Sequence, residues 1–325
     1  MKFLDVMGSS GPVKASVLIL GTDYFGASIP EKHATALLNQ YWECGGTTID
    51  TARIYGHWKD KPDLPPCSEA VLGRWMQRQN NRNEITLITK GGHPQLGDMS
   101  KRRISKTCID QDLFTSLDSL RTDYVDIFFL HRDDPAVPVA EIMDILDPHI
   151  RSGRIRALGA SNWNISRIQE ANLYAIKNNR TPFTVSEINW SLAQTTPEMW
   201  GDPTLVTMDE TEYQGYLDTK IPVFSFSSQA RGYFSKGFSN TLDRAPRALR
   251  FDSPKNRQRL NRLVQLCNRY HCSPSSIALS YLTSAPIPTA AVIGCSTVTQ
   301  ITDCMESLNI QLSPADRLYL EQGAI

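Results

Sequence analysis

The sequence predicts a (β/α)8 TIM barrel, on three observations. About eight short apolar runs are each followed by sequence of helical periodicity. The runs do not alternate strictly between apolar and polar residues, as expected of strands buried on both faces of a parallel sheet. The chain, at 325 residues, is long enough for eight such units.

Taken in order, VLIL (17–20) is a short apolar run closed by Gly21, and EKHATALLNQYWECGG (31–46) has helical spacing with a glycine stop. TTID (47–50) reads as a strand, and SEAVLGRWMQRQ (68–79) as a helix opened by Ser68 as cap. EITLITK (84–90) is a strand. In the helix at 104–122, Ile109, Leu113, Leu117 and Leu120 share one face. YVDIFFLH (124–131) and IRALGASN (155–162) are strands, separated by a helix over 139–153 that Gly153 ends. A helix at 165–179 precedes FTVSEINW (183–190). IPVFSFSS (221–228) and AAVIGCS (290–296) supply the last two strands, with helices at roughly 255–270, 275–284 and 298–307. The segment 191–220 is long and polar, and is expected to be a large loop over one barrel face. No linker or repeat interrupts the pattern, so residues 1–325 are expected to form a single domain. The competing architecture, a doubly wound open sheet, normally carries GxGxxG after an early strand. No such run is present, and the glycines of GSSG (8–11) precede the first convincing strand.

Composition narrows the function. The 34 Lys and Arg balance 34 Asp and Glu, which argues against a nucleic-acid footprint or a polybasic membrane surface. No apolar run approaches the ~18 residues of a membrane span, and the start, interrupted by Asp5, does not read as a signal peptide. Seven cysteines without CxxC spacing suggest a reduced, cytoplasmic, metal-free protein.

In a barrel of this kind, functional groups sit at the C-terminal ends of the strands. The second strand ends in Asp50, with Tyr55 in the loop after it; the third ends in Lys90 and the fourth in His131. An acid, a phenol, an ammonium and an imidazole on three consecutive strands would converge on one spot. A free phenol, with a pKa of about 10, is a poor proton donor or acceptor near neutrality. A nearby ammonium favours phenolate and lowers that pKa. Lys90 would supply it, held by Asp50, while His131 would hydrogen-bond a carbonyl oxygen. With no strong nucleophile in the set, it fits carbonyl reduction by hydride from a bound cofactor.

These segments resemble the aldo-keto reductase superfamily. TIDTARIYG with SEAVLG, LITKGG, YVDIFFLHRDDP, GRIRALGASNW, IPVFSFSS and AAVIGCSTVTQI follow one another in family order across about residues 14–310. The resemblance implies a (β/α)8 barrel that reduces an aldehyde or ketone, with a sugar-type carbonyl among the candidates. It implies Tyr55 as general acid/base, Asp50 and Lys90 as its tuning pair, and His131 orienting the carbonyl. It also implies a nicotinamide dinucleotide lying across the barrel mouth. Ser161 and Asn162 would contact its carboxamide, and Glu187 stands where the family usually has glutamine for the same group. Phe226 would stack on the nicotinamide, Gly21, Thr22 and Asp23 would pass under its ribose, and Ser227, Gly232, Gly294, Ser296 and Gln300 would hold the pyrophosphate and adenosine end. The family often grips a 2′-phosphate with lysine or arginine after the last strand, but GCSTVTQITD (294–303) offers neither. Family habit still favours NADP(H), with NAD(H) as the alternative. Arg231, Lys236, Arg247, Arg250 and Lys255 are the candidate phosphate partners.

Trp58 and Trp190, after the second and sixth strands, are candidates to line the substrate pocket; Trp163 is expected in the core. Cys295 is read as a small buried packing residue, and His33, His149 and His271 as surface positions on helices. The implied partner is a small-molecule carbonyl, and oligomeric state leaves no signature. A second class remains open, because the superfamily includes potassium-channel β-subunits: a cofactor-binding regulatory subunit with little catalysis.

Overall fold

The computed structural model describes residues 1–56 and 67–323. Eight parallel strands close into a barrel: β3 (Leu18–Gly21), β4 (Thr48–Asp50), β5 (Thr86–Gly91), β6 (Val125–Leu130), β7 (Ile155–Ser161), β8 (Phe183–Asn189), β9 (Val223–Phe226) and β10 (Thr289–Ile293), with β10 pairing back to β3. The helices that pack outside them include α1 (Glu31–Glu43), α2 (Cys67–Gln79), α3 (Lys106–Leu120), α4 (Val139–Arg151), α5 (Ile165–Lys177), α10 (Pro254–Tyr270), α11 (Pro274–Thr283) and α12 (Val298–Glu306). The barrel and the order of its strands are those expected from the sequence.

Side-chain alternation divides the strands into two layers. One set, including Leu18, Leu20, Ile49, Leu87, Phe128, Leu130, Leu158 and Ile293, packs outward against the helices. The other, Ile19, Ile88, Ile127, Phe129, Ala157, Val185, Phe224, Ala290 and Val292, fills the barrel. The same period carries inward-facing positions on to the C-terminal rim. Two residues beyond Ile19, Ile88, Phe129, Val185, Phe224 and Val292 stand Gly21, Lys90, His131, Glu187, Phe226 and Gly294, and Asp50 is two beyond Thr48.

The sequence did not reveal the hairpin of β1 (Phe3–Gly8) and β2 (Gly11–Ser16). It closes the opposite end of the barrel, where Val6 and Ala15 join the interior cluster. Its backbone is tied to the strand starts: Thr86 Oγ1 donates to Lys14 O at 2.7 Å, and Thr184 Oγ1 to Met7 O at 2.6 Å. Its signal is weak because half its residues are solvated and Phe3 and Met7 are exposed.

The segment 191–220 is less of a loop than expected. It contains α6 (Pro197–Trp200) and α7 (Glu210–Thr219), capped by Thr196 and Asp209. Thr-Pro, a cap followed by proline at the first helical position, was the readable signal. Two short helices, α8 (Tyr233–Phe238) and α9 (Pro246–Leu249), follow β9, and α13 (Pro314–Gln322) lies near the C-terminus. His149 is not a surface residue. It is buried, with Nε2 2.8 Å from Asp110 Oδ1, because α4 turns that position toward α3.

Gly159 in β7 faces the interior, where a Cβ would overlap the Phe129 ring. Phe129 in turn packs on Phe224 at 6.0 Å between centroids. Overfilling a packed interior costs about 1–3 kcal/mol. Gly159→Ala is therefore expected to lower stability by that amount, read as a fall in the urea midpoint at unchanged m-value. An unchanged midpoint would mean that the interior yields more readily than its packing implies.

Candidate active site

Lys90 is the centre of the rim. Its side chain is 0% exposed, and an ammonium cannot remain charged in a dry site without partners. Asp50, on the neighbouring strand, supplies the direct one through Oδ1. Glu187, from β8 across the mouth, brings Oε1 to 3.4 Å from Nζ. Thr51 O accepts from Nζ at 3.2 Å, and the Tyr55 hydroxyl oxygen lies 3.2 Å from it. Burial disfavours the Lys90 ammonium, but Asp50, Glu187 and Tyr55 outweigh it and hold the pKa above the usual lysine range. Burial pushes the Asp50 carboxyl up to about 6 against the opposing pull of Lys90. It pushes Glu187 up to about 8, with the Asp50 charge adding to the rise.

The Tyr55 phenol departs from the expectation. Burial lifts its pKa well above the ordinary value, and Lys90 opposes that rise without reversing it against Asp50, Glu187 and Asp23. The group is a protonated phenol with a cation beside it. Its loop is fixed by Tyr55 N donating to Ala52 O at 3.0 Å and Arg53 N donating to Lys90 O at 3.1 Å.

The His131 ring stands edge-on to Tyr55, 5.8 Å between centroids. Burial, with His93, Arg132 and Lys90 nearby, drops its pKa well below the usual histidine value, so it is neutral. Its Nδ1 is buried without a partner among the described residues. His93, which the sequence reading did not single out, packs on it at 4.8 Å. Burial first, and then Arg132, push His93 down to about 3, and its Nδ1 donates to Pro94 O at 2.7 Å.

The expected cofactor residues divide. Gly21, Asp23, Ser161, Asn162, Glu187, Phe226, Ser227, Gly232, Gly294, Ser296 and Gln300 line one cleft of ≈ 1000 Å3, together with Asp50, Tyr55 and His131. Thr22 does not line it. Thr22 is buried, and its hydroxyl binds Asp50 O at 2.8 Å and Ser68 Oγ at 2.7 Å, so it braces the loop beneath. Asn162 sits at φ 58°, a region asparagine tolerates. Its carboxamide reaches Ser161 Oγ at 3.0 Å and accepts from Val206 N at 3.2 Å, tying the 191–209 segment to the mouth. At the far end, Ser296 N donates to Gln300 Oε1 at 2.7 Å, and Thr297 caps α12. Cys295 is buried, as expected.

The substrate-pocket candidates fare differently. Trp58 lies outside the described residues. Trp190 is not a wall of the cleft: it is buried among the outer helices, edge-on to Tyr213 at 6.0 Å and Tyr281 at 6.4 Å. The residue after β8 points outward by strand alternation, which the sequence reading overlooked. Trp200, on α6, takes the place instead. It lines the cleft, edge-on to Phe226 at 6.4 Å, with Arg250 4.9 Å above its ring. Trp163 is in the core.

Basic side chains border the adenosine end expected from the sequence. Arg231, Lys236, Arg247 and Arg250 line the cleft, whereas Lys255 does not. Arg247 donates to the Tyr24 hydroxyl at 2.7 Å, and Arg231 to the same oxygen at 3.2 Å.

A sequence model of the Aldo/keto reductase family matches residues 17–322. The chain belongs to that family. Similar proteins run over most of their own lengths. "Uncharacterized oxidoreductase YrpG" of Bacillus subtilis is 28% identical over 94% of this chain and 91% of its own. "Norsolorinic acid reductase stcV" of Emericella nidulans is 26% identical, over 97% and 80%. "Aryl-alcohol dehydrogenase GME11368" of Pestalotiopsis microspora is 25% identical, over 98% and 81%. An aldo/keto reductase with such relatives is an oxidoreductase, and its barrel is the one this family membership leads one to expect.

In this aldo/keto reductase, removing the cation would leave two carboxyls facing each other in a dry site. Lys90→Met is expected to cost about 3–5 kcal/mol where both are ionised. Both carboxyl pKa values are raised by burial, so protonation relieves the repulsion as pH falls. The deficit should therefore be greatest above about pH 8 and shrink toward about pH 5. Urea unfolding of both proteins across that range measures it; a deficit independent of pH would show that the carboxylates are not its source.

Proposed function

We propose that the protein reduces an aldehyde or ketone to an alcohol with NAD(P)H, Tyr55 serving as general acid. The observation that carries this reading is the Tyr55 hydroxyl 3.2 Å from a buried lysine that Asp50 holds by an ion pair. A phenol protonated in the resting site has a proton to give, and the neighbouring ammonium stabilises the phenolate left behind. Neutral His131 donates one hydrogen bond toward a carbonyl oxygen at the same spot. The complete set favours catalysis over a purely regulatory use of the fold.

The cleft suits a dinucleotide. It runs from Tyr55 and His131 to Gln300 and Lys236, and Glu187 has a buried Oε2 without a partner among the described residues. When bound there, nicotinamide supplies the hydride. Glu187, Ser161 and Asn162 would hold the carboxamide, Phe226 the ring face, and Ser227, Ser296 and Gln300 the phosphate-bearing arm. The name of the aryl-alcohol dehydrogenase among the relatives suggests an aromatic carbonyl, and Trp200 and Phe226 offer apolar ring surface for one.

Tyr55→Phe keeps the ring and removes the proton. It is expected to lower kcat by about 10²–10⁴-fold with cofactor affinity nearly unchanged. Assay with an aromatic aldehyde under single-turnover conditions measures this. Retention of more than about a tenth of turnover would show that another group protonates the carbonyl.

NADPH is expected to bind more tightly than NADH, with the basic contact coming from the 231–250 segment in place of the 294–303 segment, which has no cation. A charged hydrogen bond to a 2′-phosphate is worth roughly 1.5–3 kcal/mol, or about ten-fold or more in affinity. Fluorescence titration should show Arg247→Ala/Arg250→Ala weakening NADPH by at least that factor and NADH much less. Equal weakening of both cofactors would place the phosphate contact elsewhere.

A further inference from the structure

We propose that Glu187 is a proton-holding positioning residue. In the resting enzyme it is a neutral carboxyl beside Lys90, and its ionisation weakens Tyr55 as an acid. The second half rests on the role assigned to Tyr55 above; the first does not.

Lys90 is the ammonium, and Asp50 neutralises it through a direct ion pair. Glu187 stands 3.4 Å from the same nitrogen, at a distance too long for a full charge-assisted hydrogen bond. Its side chain is 3% exposed, and its Oε2 is buried without a partner among the described residues. An ionised carboxylate needs several donors, and a buried one lacking them takes up a proton instead. With both carboxyls ionised, the site would carry a net charge of minus one in a dry environment. With Glu187 protonated it is neutral, the usual outcome when two carboxyls share one buried site.

The surroundings do not supply the missing charge. Asp23, from the loop after β3, and Asp50 add negative potential around Tyr55. His131 and His93, at the ends of β6 and β5, are neutral. Arg132 draws the other way, but its guanidinium is committed to Thr204 at 3.0 Å, His131 O at 2.8 Å and Asp202 at 3.3 Å. The flanking strands bring Ser161 and Phe224 into register with Glu187, neither of them charged.

A protonated carboxyl has one O–H donor and one carbonyl acceptor, close to the donor and acceptor pattern of a glutamine carboxamide. Glu187 thus matches glutamine at low and neutral pH and departs from it only on ionising. The departure adds a negative charge near Tyr55, which disfavours phenolate and makes the phenol a poorer acid. Reduction should therefore slow as pH rises through about 8.

Glu187→Gln removes the titration while keeping shape. Infrared titration of the cofactor-free protein reads the proton directly. The wild-type minus E187Q difference should show a protonated-carboxyl carbonyl band at about pH 7 that converts to carboxylate by about pH 9. Glu69 and Glu212, pushed up to about 7 by burial, are present in both proteins and cancel. A difference containing only carboxylate at about pH 7 would overturn the inference. Stability supplies a second readout without cofactor. A carboxyl raised from 4.5 to about 8 contributes stability fully below 4.5 and loses it as pH rises to about 8. E187Q should match wild type at low pH and unfold at higher urea at about pH 9. A midpoint advantage that does not grow with pH would contradict this. In the kinetics, the alkaline fall in aldehyde reduction at about pH 8, read for each protein relative to its own rate at about pH 7, should be missing from E187Q. A fall that persists in E187Q would sink the link to Tyr55. An active Tyr55→Phe would instead remove the reading of Tyr55 and leave the infrared result standing.

Discussion

The buried ammonium of Lys90 is the constraint on which the rest of the mouth depends. A cation with no exposure must be compensated by groups that folding brings to it, and the two carboxyls here come from β4 and β8. Asp50 is one strand away in the sheet, but β8 is three strands further round the barrel from β5. An open sheet would leave Glu187 far from Lys90; closure brings it across the mouth. Next to Lys90 the Tyr55 loop and His131 meet, their rings edge-on at 5.8 Å between centroids. Each group's protonation is therefore a property of the cluster. The Tyr55 phenol shows this: a neighbouring lysine alone would lower its pKa, but burial raises it, and Asp50, Glu187 and Asp23 oppose the lysine.

Much of that cluster was readable in the sequence because strand alternation does the placing. An apolar residue inside the barrel fixes the direction of the residue two further on, so a polar residue at the end of an apolar run points into the mouth. Lys90, His131 and Glu187 obey this rule, and Asp50 shares the register two residues beyond Thr48. Trp190 was misassigned by neglecting it: Val185 and Glu187 face inward, so the register around β8 leaves Trp190 to the outer layer. What stayed hidden depends on non-local packing. His93 follows two glycines in a loop, with no periodicity to direct it. Trp200 reaches the cleft because α6 is anchored above the mouth, and only its Thr-Pro cap was visible beforehand. The hairpin β1–β2 is half-solvated and acquires its buried face from the strands it covers.

The end of the cleft proposed for the adenosine arm illustrates the same limit. A local reading of 294–303 finds no cation, and Asp303 even adds an acid to the cleft. The arginines that line the cleft come from the segment after β9, distant in sequence from that one. Arg231 and Arg247 both meet the hydroxyl of Tyr24, a residue in the loop after β3, and Arg231 also stands 3.8 Å from Asp23. These contacts span the cleft from one wall to the other. A charge inventory taken segment by segment cannot detect such a pairing, because neither side carries a motif for it.

The segment that follows α6 is tied to the residues around the proposed catalytic histidine. Arg132, the residue after His131, donates to the His131 carbonyl oxygen at 2.8 Å and to Asp202 and Thr204 in the segment that follows α6. Asn162 adds a second tie, accepting from Val206 N at 3.2 Å while its Nδ2 lies 3.4 Å from the same His131 carbonyl oxygen. Two side chains from adjacent strands thus bind one carbonyl and one covering segment. A buried guanidinium with three such partners is costly to release, because each unpaired group would remain desolvated. The segment bearing Trp200 is therefore positioned from the same atoms that position His131. Residues 202–206 are thereby tied to the barrel rim beside His131.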